Sequence, residues 1–189
     1  PKIAALALFL RLLAEGLGAL QEHWQLMVAI LAVLSLIIGN LFAIVQSNFK
    51  RLLGYSTVSH IGFVLLGLVA GSEQGFGAAL FYVVTYAITA AGAFAIIILL
   101  SREGFEGDRL DDLKGLFRRD GWAALALLLM MFSMTGIPGT VGFYAKLLVI
   151  KALIDVGMVW LAVFEIVFAV ISALYYLKVL KIAFFDPVQ

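Results

Sequence analysis

The chain has 189 residues, of which 64% are apolar and 13% charged, with a net charge of +1 and a mean hydropathy of +1.11. A soluble domain carries about 25% charge, so this composition cannot coat a water-exposed globule, and it excludes disorder, which needs low hydrophobicity and abundant charge. The absence of cysteine removes disulfides, thiolate metal sites and iron–sulfur ligation, and the near-neutral balance leaves no footprint for nucleic acid.

The first segment, Ile3 to Leu20, is apolar but interrupted by Arg11 and Glu15, which stand at i,i+4 and can pair; it reads as part of a span. The opening Pro1-Lys2-Ile3 has no initiator methionine and no cleavage site, as expected for a piece of a longer polypeptide. His23 falls in a connecting loop with no evident function. Leu26 to Val45 is charge-free and long enough for about 30 Å of helix, the thickness of a hydrocarbon core. Its Asn40 suits interhelical bonding better than ligand binding. Leu52 to Ala70 is the next span and carries His60, and Phe76 to Leu100 follows without a charge.

Residues 101–121 form the one strongly polar region. Leu110, Leu113, Leu116 and Phe117 recur at helical spacing within it, which predicts a short amphipathic helix lying on the membrane face. Trp122 to Ile154 is too long for one straight span: it would run roughly 50 Å against a core of about 30 Å. In its middle stand Gly136, Pro138 and Gly139, where proline lacks a donor and glycine relaxes the backbone. Two half-helices joined by an unwound turn are expected, a feature tolerated at membrane depth where protein or a hydrated cavity serves the freed carbonyls. The last span occupies 158–185 and holds a single acid, Glu165.

Basic residues distribute unevenly across these spans. One side receives Lys50, Arg51, Arg102, Arg109, Lys114, Arg118, Arg119, Lys178 and Lys181, and the other only Lys151. The positive-inside rule makes the 101–121 loop cytoplasmic.

Charges left inside the spans are costly and invite a functional reading. Lys146 is either a snorkelling lysine or, beside the break, a buried ammonium able to load and release a proton. Glu165 is a proton carrier or the ion-pair partner of a lysine. His60 shares its helix with Tyr55, Ser56, Thr57 and Ser59, and either bonds across a helix interface or relays protons. Lys50, at a helix start, reads by itself as an interfacial anchor. No phosphate loop, catalytic triad or metal-spaced cluster is present, so the chemistry open to this chain is proton movement.

Two ordered motifs carry a resemblance. Asn48 through Phe63, with Lys50-Arg51-Leu52-Leu53-Gly54-Tyr55-Ser56 and His60, and Gly136 through Lys146, with Gly136-Ile137-Pro138-Gly139-Thr140, are similar to hallmark segments of the antiporter-like membrane subunits of respiratory complex I. A lysine after the broken turn resembles the N branch of that family, whereas the M branch has glutamate there. The resemblance implies an all-α, multi-pass transmembrane helix bundle of the antiporter-like fold, with five full spans plus part of a sixth. Residues 1–20 would then be the latter part of the last helix of a first repeat. Residues 26–185 would be the second repeat, with spans 26–45, 52–70, 76–100, 122–154 (broken) and 158–185.

It further implies that Lys2 and Lys146 are mid-membrane proton carriers. Lys50 and His60 would match helix-ten positions of the supporting path, and Glu165 matches no family signature. The implied function is a membrane-arm contribution to proton translocation driven by NADH–quinone electron transfer in a bacterial inner membrane. The NADH, FMN and iron–sulfur chemistry would sit on other subunits, with no cofactor on this chain. Its partners would be the other membrane subunits, lipids and, through the complex, the quinone pool. The alternatives are a subunit of a multi-subunit cation/proton antiporter, or a membrane spacer without transport. The family's first repeat and last helix lie outside this sequence, so the piece alone is not expected to pump.

Overall fold

The computed structural model describes residues 2–101 and 107–187, and the side chains of all of these except Lys2 and Ala14. The expected carrier group of Lys2, and Arg102 in the charge count, therefore lie outside the described residues. The described residues are mostly helical: α1 (Lys2–Arg11), α2 (Gln21–Ile44), α3 (Phe49–Val69), α4 (Glu73–Leu100), α5 (Leu116–Arg119), α6 (Gly121–Thr135), α7 (Val141–Asp155) and α8 (Val159–Phe185). Four helical stretches are long and apolar enough to cross a membrane, namely Gly18–Ile44 and the α3, α4 and α8 helices.

α3, α4 and α6 start one to three residues before their apolar runs, at polar caps. The Asn48 side chain accepts from the Arg51 amide at 2.8 Å, and Ser72 from the Gly75 amide at 3.1 Å. Asp120 accepts from the Trp122 and Ala123 amides at 3.1 and 3.0 Å, so two of the orphan donors of α6 are satisfied. His23 lies in the first turn of α2 rather than in a loop, with its side chain exposed.

α3 is the central helix. Within its apolar window 67% of residues are buried, against 33–39% for the other three candidate spans. Its tightest partner is α2, which it approaches at backbone distance. A Cβ on Gly39 would land on the Ser59 backbone, and one on Gly62 would meet the Ala32 carbonyl and Leu36. Small residues at such a seam let dispersion act over many atoms where no hydrophobic drive exists between helices in lipid. α4 packs on α3, α6 and α7, and α8 on α6, α7 and α2. The outward faces carry Leu26, Ile30 and Leu41 of α2, Ile88 and Ile98 of α4, and Val163, Val170 and Leu174 of α8, a surface suited to acyl chains.

The polar loop is pinned to one end of the bundle. The Phe49 amide donates to Asp108 O at 2.6 Å, the Leu110 amide to Ser47 O at 3.0 Å, and Asn48 Nδ2 to Asp108 Oδ2 at 2.7 Å. Phe117 stacks on Phe184 near the end of α8, with centroids 5.2 Å apart. Lys50, Arg51, Arg109, Lys114, Arg118 and Arg119 are thereby gathered at one end, while Lys151 stands near the other. The expected single amphipathic helix in this loop is instead two short turns. A 3-10 turn, Leu110–Leu113, and α5 are separated by Gly115, whose φ of 66° breaks the helix. Burial of Leu110, Leu113 and Leu116 rewards each turn separately.

The first segment also departs from a simple span. α1 ends at Arg11 and gives way to a π turn, Leu12–Gly16, and a 3-10 turn, Gly18–Leu20. Arg11 and Glu15 approach to 3.7 Å, but with side chains 77% and 71% exposed the contact is a surface pair of small worth.

Candidate functional site

The Gly136–Thr140 turn separates α6 from α7, and its backbone bonds can be followed one by one. A helix end leaves four carbonyls without amide partners. Here Gly136 adopts φ 83°, and its amide donates to Phe132 O and Ser133 O at 3.0 and 3.1 Å, while the Ile137 amide reaches Phe132 O at 3.1 Å. That pattern is a Schellman end, with Pro138 just beyond it preventing continuation. The carbonyls of Met134 and Thr135 remain. Lys146 serves both, its Nζ donating to Thr135 O at 2.8 Å and to Met134 O at 3.3 Å. On the far side of the turn, Thr140 caps α7 by accepting from the Phe143 amide at 3.3 Å and donates its hydroxyl to Ile137 O at 2.8 Å.

Lys146 reaches the turn because helical side chains lean toward the N-terminus of their own helix. It does not snorkel to an interface: the residue is 5% exposed. Its ammonium also stands 4.8 Å from the Phe63 ring centroid of α3, within cation–π range. The negative end of the α6 dipole and two carbonyls thus hold a cation inside the bundle. Gly136 is the residue that leaves room, since a Cβ there would press on the Lys146 methylenes.

His60 lies one helix away, 4% exposed. Nδ1 is 2.9 Å from the Tyr82 hydroxyl of α4 and Nε2 is 2.8 Å from the Tyr176 hydroxyl of α8, while the ring stacks on Tyr86 at 4.4 Å. A neutral imidazole accepts from one phenol and donates to the other, and the direction can reverse. Both readings left open for this histidine, interhelical bond and relay, are compatible with that geometry. Tyr86 in turn bonds the Thr57 hydroxyl. A cavity of about 10 Å³, room for roughly one water, joins this cage to the break and is lined by His60, Thr85, Thr89, Ser133 and Met134 among others. On the opposite flank of Lys146, an apolar cleft of about 330 Å³ runs between α7 and α8 past Pro138, Phe143 and Val170.

Glu165 is 0% exposed, and both carboxyl oxygens are without a hydrogen-bond partner among the described residues. Ion pairs within 4.0 Å among the described residues join Arg11 to Glu15 and Lys114 to Asp111; Lys146 and Glu165 make no such contact. Lys50 is not part of this group. It sits exposed in the first turn of α3, about 15 Å along the helix from His60. Asn40 bonds as an interhelical residue, donating to Ser59 Oγ at 2.7 Å and to Leu36 O at 2.8 Å and accepting from the Tyr175 hydroxyl at 3.2 Å. The sequence reading passed over Tyr82, Tyr86 and Tyr176. A signal existed in α4, where Tyr82 and Tyr86 at i,i+4 share a face with Thr85 and Thr89. Among the described residues no group of three or more His, Asp or Glu side chains is placed to hold a metal ion.

The family model described as NADH:quinone oxidoreductase/Mrp antiporter, transmembrane, matches residues 1–172. The chain belongs to this family. A curated relative, NADH-quinone oxidoreductase subunit N of Alkalilimnicola ehrlichii, is 62% identical over 98% of this chain and 38% of its own length. The chain therefore spans less than two fifths of that relative. Among solved structures, a chain of Thermus thermophilus respiratory complex I with bound aureothin is similar at 33% identity and a TM-score of 0.74, over 86% of this chain and 37% of that one. A chain of the Mrp complex from a Dietzia species is similar at 27% identity and a TM-score of 0.88, over 99% of this chain and 35% of that one. An all-helical, multi-pass membrane protein of the antiporter-like family follows, with subunit N its relative in sequence.

Proposed function

We propose that this chain is the part of a membrane-arm subunit of a bacterial NADH–quinone oxidoreductase that carries protons across the inner membrane. The observation that carries the reading is the buried Lys146 ammonium seated on the Met134 and Thr135 carbonyls of an interrupted helix. A lysine there can release and regain a proton, and an arginine could not. In this reading α6 and α7 are the two halves of one discontinuous span, giving five full spans, with α1 as part of a sixth. Residues 26–185 form one repeat and 1–20 the end of another. The end bearing the basic loop faces the cytoplasm.

Lys2 and Lys146 are the carriers, and His60, Lys50 and Glu165 support the path. Protons reach Lys146 from the His60 cage through the small cavity between them, by hydrogen-bonded hydroxyls and water. Electron transfer from NADH to quinone, with its FMN and iron–sulfur centres, takes place on other subunits and acts here as changes of electrostatic potential along the membrane. The neighbouring membrane subunits, lipids and the quinone pool are the partners. The Mrp likeness in fold supports a cation/proton antiporter as the second reading, and the 62% identity to subunit N favours the first.

The test compares Lys146→Arg with Lys146→Ala in the full-length subunit within its complex. NADH-driven proton uptake into inverted membrane vesicles is measured per assembled complex. Both substitutions are expected to impair pumping severely. Near-normal pumping by the arginine variant would show that only a fixed charge is needed.

A further inference from the structure

We propose that the Tyr82 hydroxyl is the relay that carries a proton from His60 into the small cavity beside the α6–α7 break. The inference rests on the proton-carrying reading above and names the atom through which His60 serves it.

The bonds of the imidazole limit the exits. A proton leaves this ring only at a nitrogen, and both nitrogens are engaged by phenols. Nδ1 is 2.9 Å from the Tyr82 oxygen and Nε2 is 2.8 Å from the Tyr176 oxygen. While these bonds stand, a ring proton passes to one of the two phenol oxygens before it can reach water.

The cavity of about 10 Å³ then separates the two phenols. Tyr82 lines it, facing Ser133 and Met134 of α6 and Gly142 of α7, whereas Tyr176 stands outside it. Two other α4 hydroxyls on this wall are engaged elsewhere: Tyr86 bonds Thr57, and Thr89 donates to carbonyls of its own helix. Tyr82 also lies on the break side of the cage. Its ring stacks on Phe63 with centroids 5.9 Å apart, and Phe63 is the ring beneath the Lys146 ammonium. Met134, which lines the same cavity, accepts from Lys146 through its carbonyl at 3.3 Å. One hydroxyl therefore touches His60 and the cavity at once.

A phenol can accept at its oxygen while donating its own hydrogen, so the transfer needs no phenolate. With His60 as imidazolium, the Nδ1–H bond breaks and its electron pair stays on Nδ1. An O–H bond forms on Tyr82, and the O–H bond it already had breaks toward a water in the cavity. Imidazolium and water become imidazole and hydronium, and the phenol is restored. Tyr176 keeps the Nε2 hydrogen and acts as a positioning residue that holds the ring. The cavity admits about one water, so this is a single hop and not a hydrated channel.

The experiment uses the full-length subunit in its assembled complex, with Tyr82→Phe, Tyr176→Phe, Lys146→Ala and a fluorinated tyrosine incorporated at position 82. Phenylalanine keeps the ring and its stacking but has no hydroxyl. NADH-driven proton uptake per assembled complex is expected to fall several-fold in Tyr82→Phe and clearly less in Tyr176→Phe. Fluorination keeps the hydroxyl and makes it a stronger acid, so the pH profile of proton uptake should move to lower pH. The other titratable groups around the phenol are left as they are: His60 of α3, Tyr86 of α4, Lys146 of α7, and Glu165, Tyr175 and Tyr176 of α8. α6 carries none, and Arg11 of α1 is exposed. Normal pumping by Tyr82→Phe beside lost pumping by Lys146→Ala overturns this inference alone. Normal pumping by both overturns the reading beneath it. Equal losses in the two phenylalanine variants make the phenols mere packing around His60 and also overturn the inference. Where Tyr82→Phe fails to assemble, the fluorinated protein decides, and an unmoved pH profile overturns the relay.

Discussion

Asn40, Ser59 and Tyr175 meet between α2, α3 and α8, where Asn40 gives one amide hydrogen to Leu36 O of its own helix and uses the other, with its oxygen, on Ser59 and Tyr175 of neighbouring helices. Around the α6–α7 turn the interior polar groups are arranged differently. Lys146 bonds only backbone carbonyls that a helix end has left over, and Glu165 bonds nothing among the described residues. In the first region polarity is consumed in joining helices, and a change of protonation has nowhere to act. In the second, the proposed release of a proton by Lys146 would act only on its bonds to two backbone carbonyls. Polar content does not mark function in a membrane bundle; polar groups whose bonds can be exchanged do.

The sharpest break of that comparison is Gly142→Ala. A Cβ at Gly142 would fall within 1.8 Å of Ser133 O, a backbone atom that cannot step aside. The α6–α7 elbow should fail to close, costing about 3 kcal/mol or more, and assembled subunit should be scarce on native gels. At Gly139 an added Cβ meets nothing within 4 Å, although φ is 94°; strain alone, about 1–2 kcal/mol, is expected there. Equal assembly for Gly142→Ala and wild type would show the elbow to be loose.

A middle-sized effect is expected from Asn40→Leu. Loss of its bonds to Ser59 and Tyr175 should lower stability by about 1–2 kcal/mol, read as a reduced thermal midpoint in detergent. Pumping per assembled complex should stay at the wild-type level. A pumping defect at normal stability would move Asn40 into the same class as Lys146 and erase the distinction drawn above.

Asp111→Asn is the smallest perturbation and acts as a control for charge in water. The bond and charge of Lys114 hold the Asp111 carboxyl below its ordinary value of 3.8. A carboxyl depressed in the folded state stabilises above the ordinary value and loses that contribution as pH falls through the native one. Wild type and variant should therefore differ only slightly at neutral pH and converge in acid. The pair is solvent-exposed on the aspartate side, so added salt should shrink the difference further. A large neutral-pH difference in thermal midpoint would contradict this.

The helices were legible from apolar runs, and the break from Gly136, Pro138 and Gly139, because both are local properties. Helix starts came out late at 26, 52 and 76, because Gln21, Lys50 and Glu73 are polar residues of the first turn that hydropathy discounts. The caps at Asn48 and Ser72 carried the missing information. Gly115 hid the division of the loop helix, because a repeat of leucines looks the same whether or not one residue between them turns left-handed. The site was partly legible: Lys146 follows from an uncompensated charge beside a break. The phenols around His60 were not, since Tyr82 and Tyr176 come from distant parts of the chain and nothing in local spacing brings them together.

The seam between α2 and α3 has a consequence for genetics. Gly39 and Gly62 admit no methyl group without striking the opposite helix. On the proposed function, alleles at these positions in a screen for respiratory deficiency would score as severely as alleles at Lys146. Only counting the subunit present in the membrane would sort them, since the glycine alleles should deplete it while lysine alleles leave it abundant and idle. A map of deleterious alleles drawn without that count would confuse a packing seam with the proposed proton path.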